Sequence, residues 1–192
     1  MNSVNQYIKE IMSESANLII SSENLSEKIE EVVNVMVECL KNKNKIIVFG
    51  NGGSAADAQH ISSELIGRFQ KDRPSLPAIA LTTDSSTITS IANDYSYDVV
   101  FSRQCESIVS KGDVVIGIST SGNSINVKNG ITTSKKKNAV TIGLLGNDGG
   151  IIKDLVDIAI QVSSKNTARI QEVHRVIYHI ICDLLEKEME KK

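Results

Sequence analysis

The sequence lacks any apolar run approaching the roughly 20 residues of a membrane-spanning helix. Its first ten residues hold one Lys and one Glu with no apolar segment, so neither a membrane anchor nor a signal peptide is read, and a cytoplasmic protein is expected. It also lacks an excess of base. The 21 Lys and Arg against 23 Asp and Glu leave a net charge of −2, which supplies no basic stripe for nucleic acid. Cysteine is scarce: Cys39, Cys105 and Cys182 are odd in number, widely spaced and set in apolar patterns, which argues against a disulfide framework or a zinc cluster and predicts buried thiols. The two prolines, Pro74 and Pro77, mark one exposed connection. Internal repeats, low-complexity segments and a break for a second domain are missing, so the 192 residues are expected to form one domain.

What is present is alternation. Two helical patterns come first, over about residues 3–21 and 25–42, the second with an apolar face of Ile29, Val32, Val33, Met36, Val37 and Leu40, and Ser22 to Ser26 breaks them apart. Strands then follow at about 45–49, 78–82, 113–118, 139–145 and 157–162, with helices at about 54–67, 86–92, 124–137 and 167–189. Strand and helix taking turns predicts an α/β fold with a parallel sheet wrapped by helices.

Two of the connections carry unusual chemistry. The apolar strand Asp113 to Ile118 runs into Ser119-Thr120-Ser121-Gly122-Asn123-Ser124 and then a helix, so four hydroxyls gather at a helix N-terminus, where free N–H groups and the dipole favour a phosphate. Taken alone, such a turn reads first as a helix cap, and it is the second loop that tips the reading toward a phosphate. The strand Lys45 to Phe49 is followed by Gly50-Asn51-Gly52-Gly53-Ser54 and a second helix, and two loops of this kind predict a binding crevice at the carboxyl edge of the sheet. Neither loop has the Lys followed by Ser or Thr of a P-loop. Gly50-x-Gly52-x-x-Ala55 fits a loose dinucleotide fingerprint, but the strand near Ala78 to Leu81 does not end in the acidic residue that a ribose needs, so no nucleotide cofactor is expected.

Only three histidines are available for proton transfer. His60 and Glu64 lie four apart on one helical face, separated by a rise of about 6 Å, where one proton shuttle or one metal ion can engage both; packing alone explains them equally well. On the last helix Gln171 and His179 are separated by about 12 Å and 80°, and His174 sits about 140° from His179, the odd one out.

Five segments in order resemble one family: Gly50-Asn51-Gly52-Gly53-Ser54; Asp57-Ala58-x-His60-x-x-x-Glu64-Leu65-x-Gly67-Arg68; Arg73-Pro74-x-x-Pro77-Ala78-Ile79-Ala80; Ile118 through Ser124; and Ala168-Arg169-Ile170-Gln171-Glu172-x-His174. Together they resemble the sugar isomerase, or SIS, domain family over nearly the whole chain. The resemblance implies a single SIS domain over residues 1–192, with N-terminal helices in 1–42 used in oligomerisation and a three-layer, flavodoxin-like α/β core with a C-terminal helix in 43–192. It implies a homotetramer with sites at subunit interfaces. The implied activity is aldose–ketose isomerisation of sedoheptulose 7-phosphate to D-glycero-D-manno-heptose 7-phosphate through an ene-diol, the first step of bacterial heptose supply to lipopolysaccharide core or capsule.

Carried over residue by residue, the resemblance assigns phosphate to Ser119, Thr120, Ser121 and Ser124. It assigns the sugar to Asn51, Gly52, Gly53, Ser54, Glu64, Asn93, Asp94 and Gln171, acid–base chemistry to Glu64 and His179, and one zinc ion per subunit to His60, Glu64, Gln171 and His179. Ligands to zinc lie about 2.0–2.2 Å from it, so Gln171 and His179 can share one ion only from different chains, as a symmetric oligomer allows. Some relatives carry Asp where this chain has Ala168, and that contact does not carry over. The alternative is a non-catalytic binding module, similar to the replication regulator that binds the initiator DnaA; its pattern lacks the Glu and His retained here at 64 and 179. A sugar-phosphate sensor would need a helix-turn-helix segment, for which the N-terminal helices leave little room.

Overall fold

A computed structural model describes residues 3–190; residues 1–2 and 191–192 of the expected domain lie outside them. Five parallel strands, β1 (Ile46–Gly50), β2 (Ala78–Ala80), β3 (Val114–Ser119), β4 (Val140–Gly146) and β5 (Ile158–Val162), form one sheet in the order β2-β1-β3-β4-β5. The chain reverses direction across the sheet after β2, so β1 and β3 flank the switch point, beyond whose carboxyl ends sheets of this kind bind their ligands. Gly50 of β1 pairs with Ile118 of β3, which sets the glycine loop beside the hydroxyl loop.

Alternating strand residues feed two cores. Ile46, Val48, Val114, Ile116, Ile118, Ile142, Leu144 and Ile160 face α2 (Ser26–Lys41), α3 (Gly53–Ile66) and α7 (Thr167–Glu190), while Ile47, Phe49, Val115 and Leu145 face α5 (Val100–Ile108) and α6 (Ile125–Lys136). This is the expected three-layer arrangement, because a strand covered on both faces buries every residue. Cys39, Cys105 and Cys182 are buried free thiols, and burial pushes them up to about 11, 11 and 12. The leader helix α1 (Val4–Ser21) buries none of its residues; it docks on α7 through Ser15 and the Glu172 carboxylate and through Arg169, which donates to the Ile11 carbonyl at 3.0 Å. No helix among the described residues is long and apolar enough to cross a membrane.

The sequence reading lacks one element and shortens another. Helix α5 carries a short apolar stripe of Val100, Phe101 and Cys105 interleaved with the buried polar Ser102 and Gln104, and its first residue follows Val99, which offers no cap, so neither period nor punctuation announces it. Helix α4 spans Ser85–Asp94, capped by the Asp84 carboxylate on Thr87 N–H.

Candidate active site

At the end of β3, Ser119 Oγ lies 3.0 Å from Ser124 Oγ and also accepts from Gly122 N–H at 3.1 Å. Ser124 is the N-cap residue of α6, yet its side chain makes no capping bond, so its hydroxyl turns into the loop rather than closing the helix. Ser124 therefore does not cap the helix through its side chain, and the Ile125 and Asn126 N–H groups are left at the loop, while Val127 N–H is taken by Asn126 Oδ1 at 2.9 Å. Gly122 adopts φ +67, and a Cβ there would overlap the Gly149 backbone, so glycine is required where the turn after β4 closes over the loop. The Asn123 amide secures that turn by accepting from Ile151 N–H at 3.1 Å.

The glycine loop is tied to the hydroxyl loop by a reciprocal amide pair: Asn51 and Asn126 each donate to the other at 2.9 Å. Tyr97 adds its hydroxyl to Asn51 Oδ1 at 3.1 Å. The amide oxygen of Asn51 is thus committed to the protein, leaving one amide hydrogen for a ligand. Asn126 and Tyr97 did not emerge from the sequence; the usable signal is Asn126 on the buried stripe of α6 with Val127, Gly130 and Ile131, since a buried amide requires partners. Asn93 and Asp94 are exposed at the end of α4, bonded to each other at 2.9 Å.

Helices α3 and α7 run side by side in the same direction. At their starts Gln171 lies so close over Gly53 that a Cβ on Gly53 would overlap its amide. Further along, His60, Glu64 and His179 come together, their potential ligand atoms all within 4.8 Å of one another. His60 Nε2 is 2.9 Å from Glu64 Oε1, and the His60 and His179 rings meet edge to face at 5.2 Å. Burial and then the neighbouring His60 lower the pKa of His179 from its ordinary value, against the raising effect of Glu64, which favours its neutral imidazole. Within one chain, then, three of the four suspected metal residues converge and Gln171 stands about two turns away. His174 is fully buried, with Nε2 3.0 Å from the Leu145 carbonyl oxygen, and burial pulls it down to about 4.

Two supports hold this cluster. Arg73 donates to the carbonyls of Glu64 at 2.7 Å and Leu65 at 2.8 Å, closing the end of α3. The buried Glu186 carboxylate accepts from Phe69, Gln70 and Lys71 N–H groups at 2.8, 3.0 and 3.1 Å, which seats the Phe69 ring 5.6 Å from that of His179.

A doubly wound parallel sheet with a hydroxyl cradle at its switch point is the form of a sugar-phosphate domain, and residues 6–146 match the SIS domain family; the chain belongs to it. More particular relatives narrow this. The chain is 52% identical over 187 residues to the phosphoheptose isomerase of Sulfurimonas denitrificans, covering 96% of each, and 58% identical over 153 residues to that of a Nitratiruptor species, covering 80% of this chain and 82% of the relative. Its fold superposes with a TM-score of 0.92 on the solved phosphoheptose isomerase GmhA of Neisseria gonorrhoeae, at 39% identity, covering 96% of this chain and all of that one.

Proposed function

We propose that this chain is the aldose–ketose isomerase that converts sedoheptulose 7-phosphate to D-glycero-D-manno-heptose 7-phosphate, the entry to heptose supply for the bacterial surface. The observation that carries it is the pairing of a phosphate cradle with a Glu–His pair, in a chain about half identical over its length to phosphoheptose isomerases. The retained Glu64 and His179 weigh against a pure binding module. Ser119, Thr120, Ser121 and Ser124 take the phosphate, with Gly52, Gly53, Ser54, Asn51, Asn93, Asp94 and Gln171 along the sugar.

The two proton-transfer groups are Glu64 and the neutral His179. One removes a proton from C1 while the C2 carbonyl oxygen gains one, giving the ene-diol; a proton then returns to C2 as the O1 hydroxyl gives up its own, leaving the aldehyde at C1. His60, Glu64 and His179 offer two imidazoles and a carboxylate, a set that suits zinc once small side-chain rotations draw the atoms in from 4.8 Å, and Gln171 of another chain completes it. Bound there, zinc would polarise the carbonyl and hydroxyl oxygens.

The site is shared between chains in a homotetramer. Glu64 lies eleven residues along α3 from Gly53, about 16 Å, whereas C2 and the phosphorus of the substrate are seven bonds apart, about 8 Å at full stretch. Support for assembly comes from the exposed Val4, Tyr7, Ile8 and Met12 of α1 and an apolar groove formed by Ile19, Ile20, Ile29, Val176, Ile177 and Ile180, which makes oligomerisation the work of residues 1–42 together with α7. We place the protein in the cytoplasm. Purified protein incubated with sedoheptulose 7-phosphate should yield the aldose phosphate by NMR; an unchanged ketose spectrum at high enzyme concentration would refute the reading.

A further inference from the structure

Beside the His60–Glu64–His179 cluster lies a set of side chains with no assigned role. Tyr178 is buried on α7, and its hydroxyl is 2.9 Å from His60 Nδ1, 3.1 Å from Arg175 Nε and 3.4 Å from Asp57 Oδ1. Arg175 Nη2 also donates to Asp57 Oδ1 at 3.1 Å, and Asp57 is only 1% exposed. Arginine can only donate and an ionised carboxylate only accept. The Tyr178 proton therefore has two destinations, Asp57 or His60 Nδ1. Directed at His60, it leaves the Tyr178 and Asp57 oxygens facing each other as two acceptors in a buried place, which is costly. Directed at Asp57, it satisfies the buried set: Arg175 donates to Tyr178 and Asp57, Tyr178 donates to Asp57, and His60 donates its Nδ1–H to Tyr178, which leaves the outer His60 Nε2 and Glu64 Oε1 to share a cation.

We propose that Tyr178 is a positioning residue for the active site, holding His60 with its proton on Nδ1 through the buried Asp57 carboxylate and its surface partner Arg175, so that the Nε2 lone pair faces Glu64. His60 Nε2 and Glu64 Oε1 are then two acceptors at 2.9 Å that need a cation between them, a proton or a divalent metal. The arrangement is that of a metal-binding histidine whose other nitrogen is fixed by an outer carboxylate, here with a phenol interposed. It rests on the reading of His60 and Glu64 as part of the working site, but it concerns hydrogen position and metal affinity, which are read without substrate.

The test is ring-nitrogen NMR of ¹⁵N-histidine-labelled, metal-free protein at about pH 9, above the imidazole range. His60 Nδ1 should be protonated in the parent protein. In Tyr178→Phe, which keeps the ring that packs on His60 and His179, the proton should move to Nε2 and zinc affinity by calorimetry should fall about 10- to 100-fold. His174, whose Nε2–H must serve the Leu145 carbonyl, should stay in one form throughout and reports an intact fold. A bare His60 Nδ1 in the parent protein overturns the proposal without recourse to any variant. So does a folded Tyr178→Phe protein with an unchanged His60 pattern. Failure of the isomerase assay would refute the proposed activity and leave the role of Tyr178 to be decided by these substrate-free measurements alone.

Discussion

Mixing Gln171→Ala and His179→Ala proteins in equal amounts, under conditions that let subunits exchange, should restore about a quarter of the parent activity. The figure follows from the placement of the two residues. Gln171 sits over Gly53 at the start of α3, beside the phosphate loop, while His179 packs on His60 two turns further along. If one chain supplies the cradle and Gln171 and another supplies Glu64 and His179, a site is intact when the first chain carries His179→Ala and the second Gln171→Ala. With random exchange each condition holds in about half of the cases, hence about a quarter of all sites. Each variant alone should be at least about 10²-fold slower than the parent, so the recovery stands well above background. Turnover of sedoheptulose 7-phosphate would be followed by NMR, with exchange checked by native mass spectrometry on isotope-labelled subunits. Fully exchanged oligomers that stay inactive would refute the shared site.

Glu64→Gln and His179→Gln should each lower kcat by about 10²-fold or more with the fold preserved, as judged by circular dichroism; near-parental turnover in Glu64→Gln would remove it from the proton transfer. Replacing Ser119, Ser121 and Ser124 together by Ala should raise KM about 10³-fold, three charge-assisted bonds at the low end of about 1.5–3 kcal/mol each because the Ser119–Ser124 bond must first open. The phosphate-free sugar should bind the two proteins equally by calorimetry. Burial keeps His174 at about 4 instead of its ordinary 6.5, so the unfolded chain takes up a proton that the folded one refuses. Stability from this residue is full above pH 6.5 and is lost as pH falls toward 4, about 3 kcal/mol in all. Urea midpoints should therefore fall less between pH 7 and pH 4 in His174→Gln than in the parent, and equal falls would contradict it.

The parts of the site that could be read from the sequence are those confined to one loop or one helix. The hydroxyl and glycine loops announce themselves because each is a local change from apolar strand to small polar residues, and His60 with Glu64 because i and i+4 share a face. What joins them depends on elements far apart in the chain. That Asn51 meets Asn126 follows from β1 pairing with β3, and no spacing reveals that pairing. His179 reaches His60 because α7 runs alongside α3, and the same packing brings Tyr178 and Arg175 to Asp57. Asp57 shares the buried stripe of α3 with Ala58, Ile61 and Leu65, a position where a carboxylate demands a partner, but nothing local names which one.

Helix α7 is also synthesised after every strand of the sheet. By residue 166 all five strands exist, yet Gln171, Tyr178, His179 and Glu186 have still to emerge, a delay of about one to five seconds at about 5–20 residues per second. Until then the apolar side of α2, α3 and the sheet, with Val32, Ile61 and Ile116, is without its cover, and three successive N–H groups from Phe69 to Lys71 await the carboxylate that will hold them. A chain cut short within α7 would carry a finished sheet beneath an open face, the kind of species that chaperones hold and proteases remove. Loss of α7 before His179 therefore removes a catalytic residue and the cover of the core together, so a chain without its chemistry also exposes the surface by which it is recognised as unfinished.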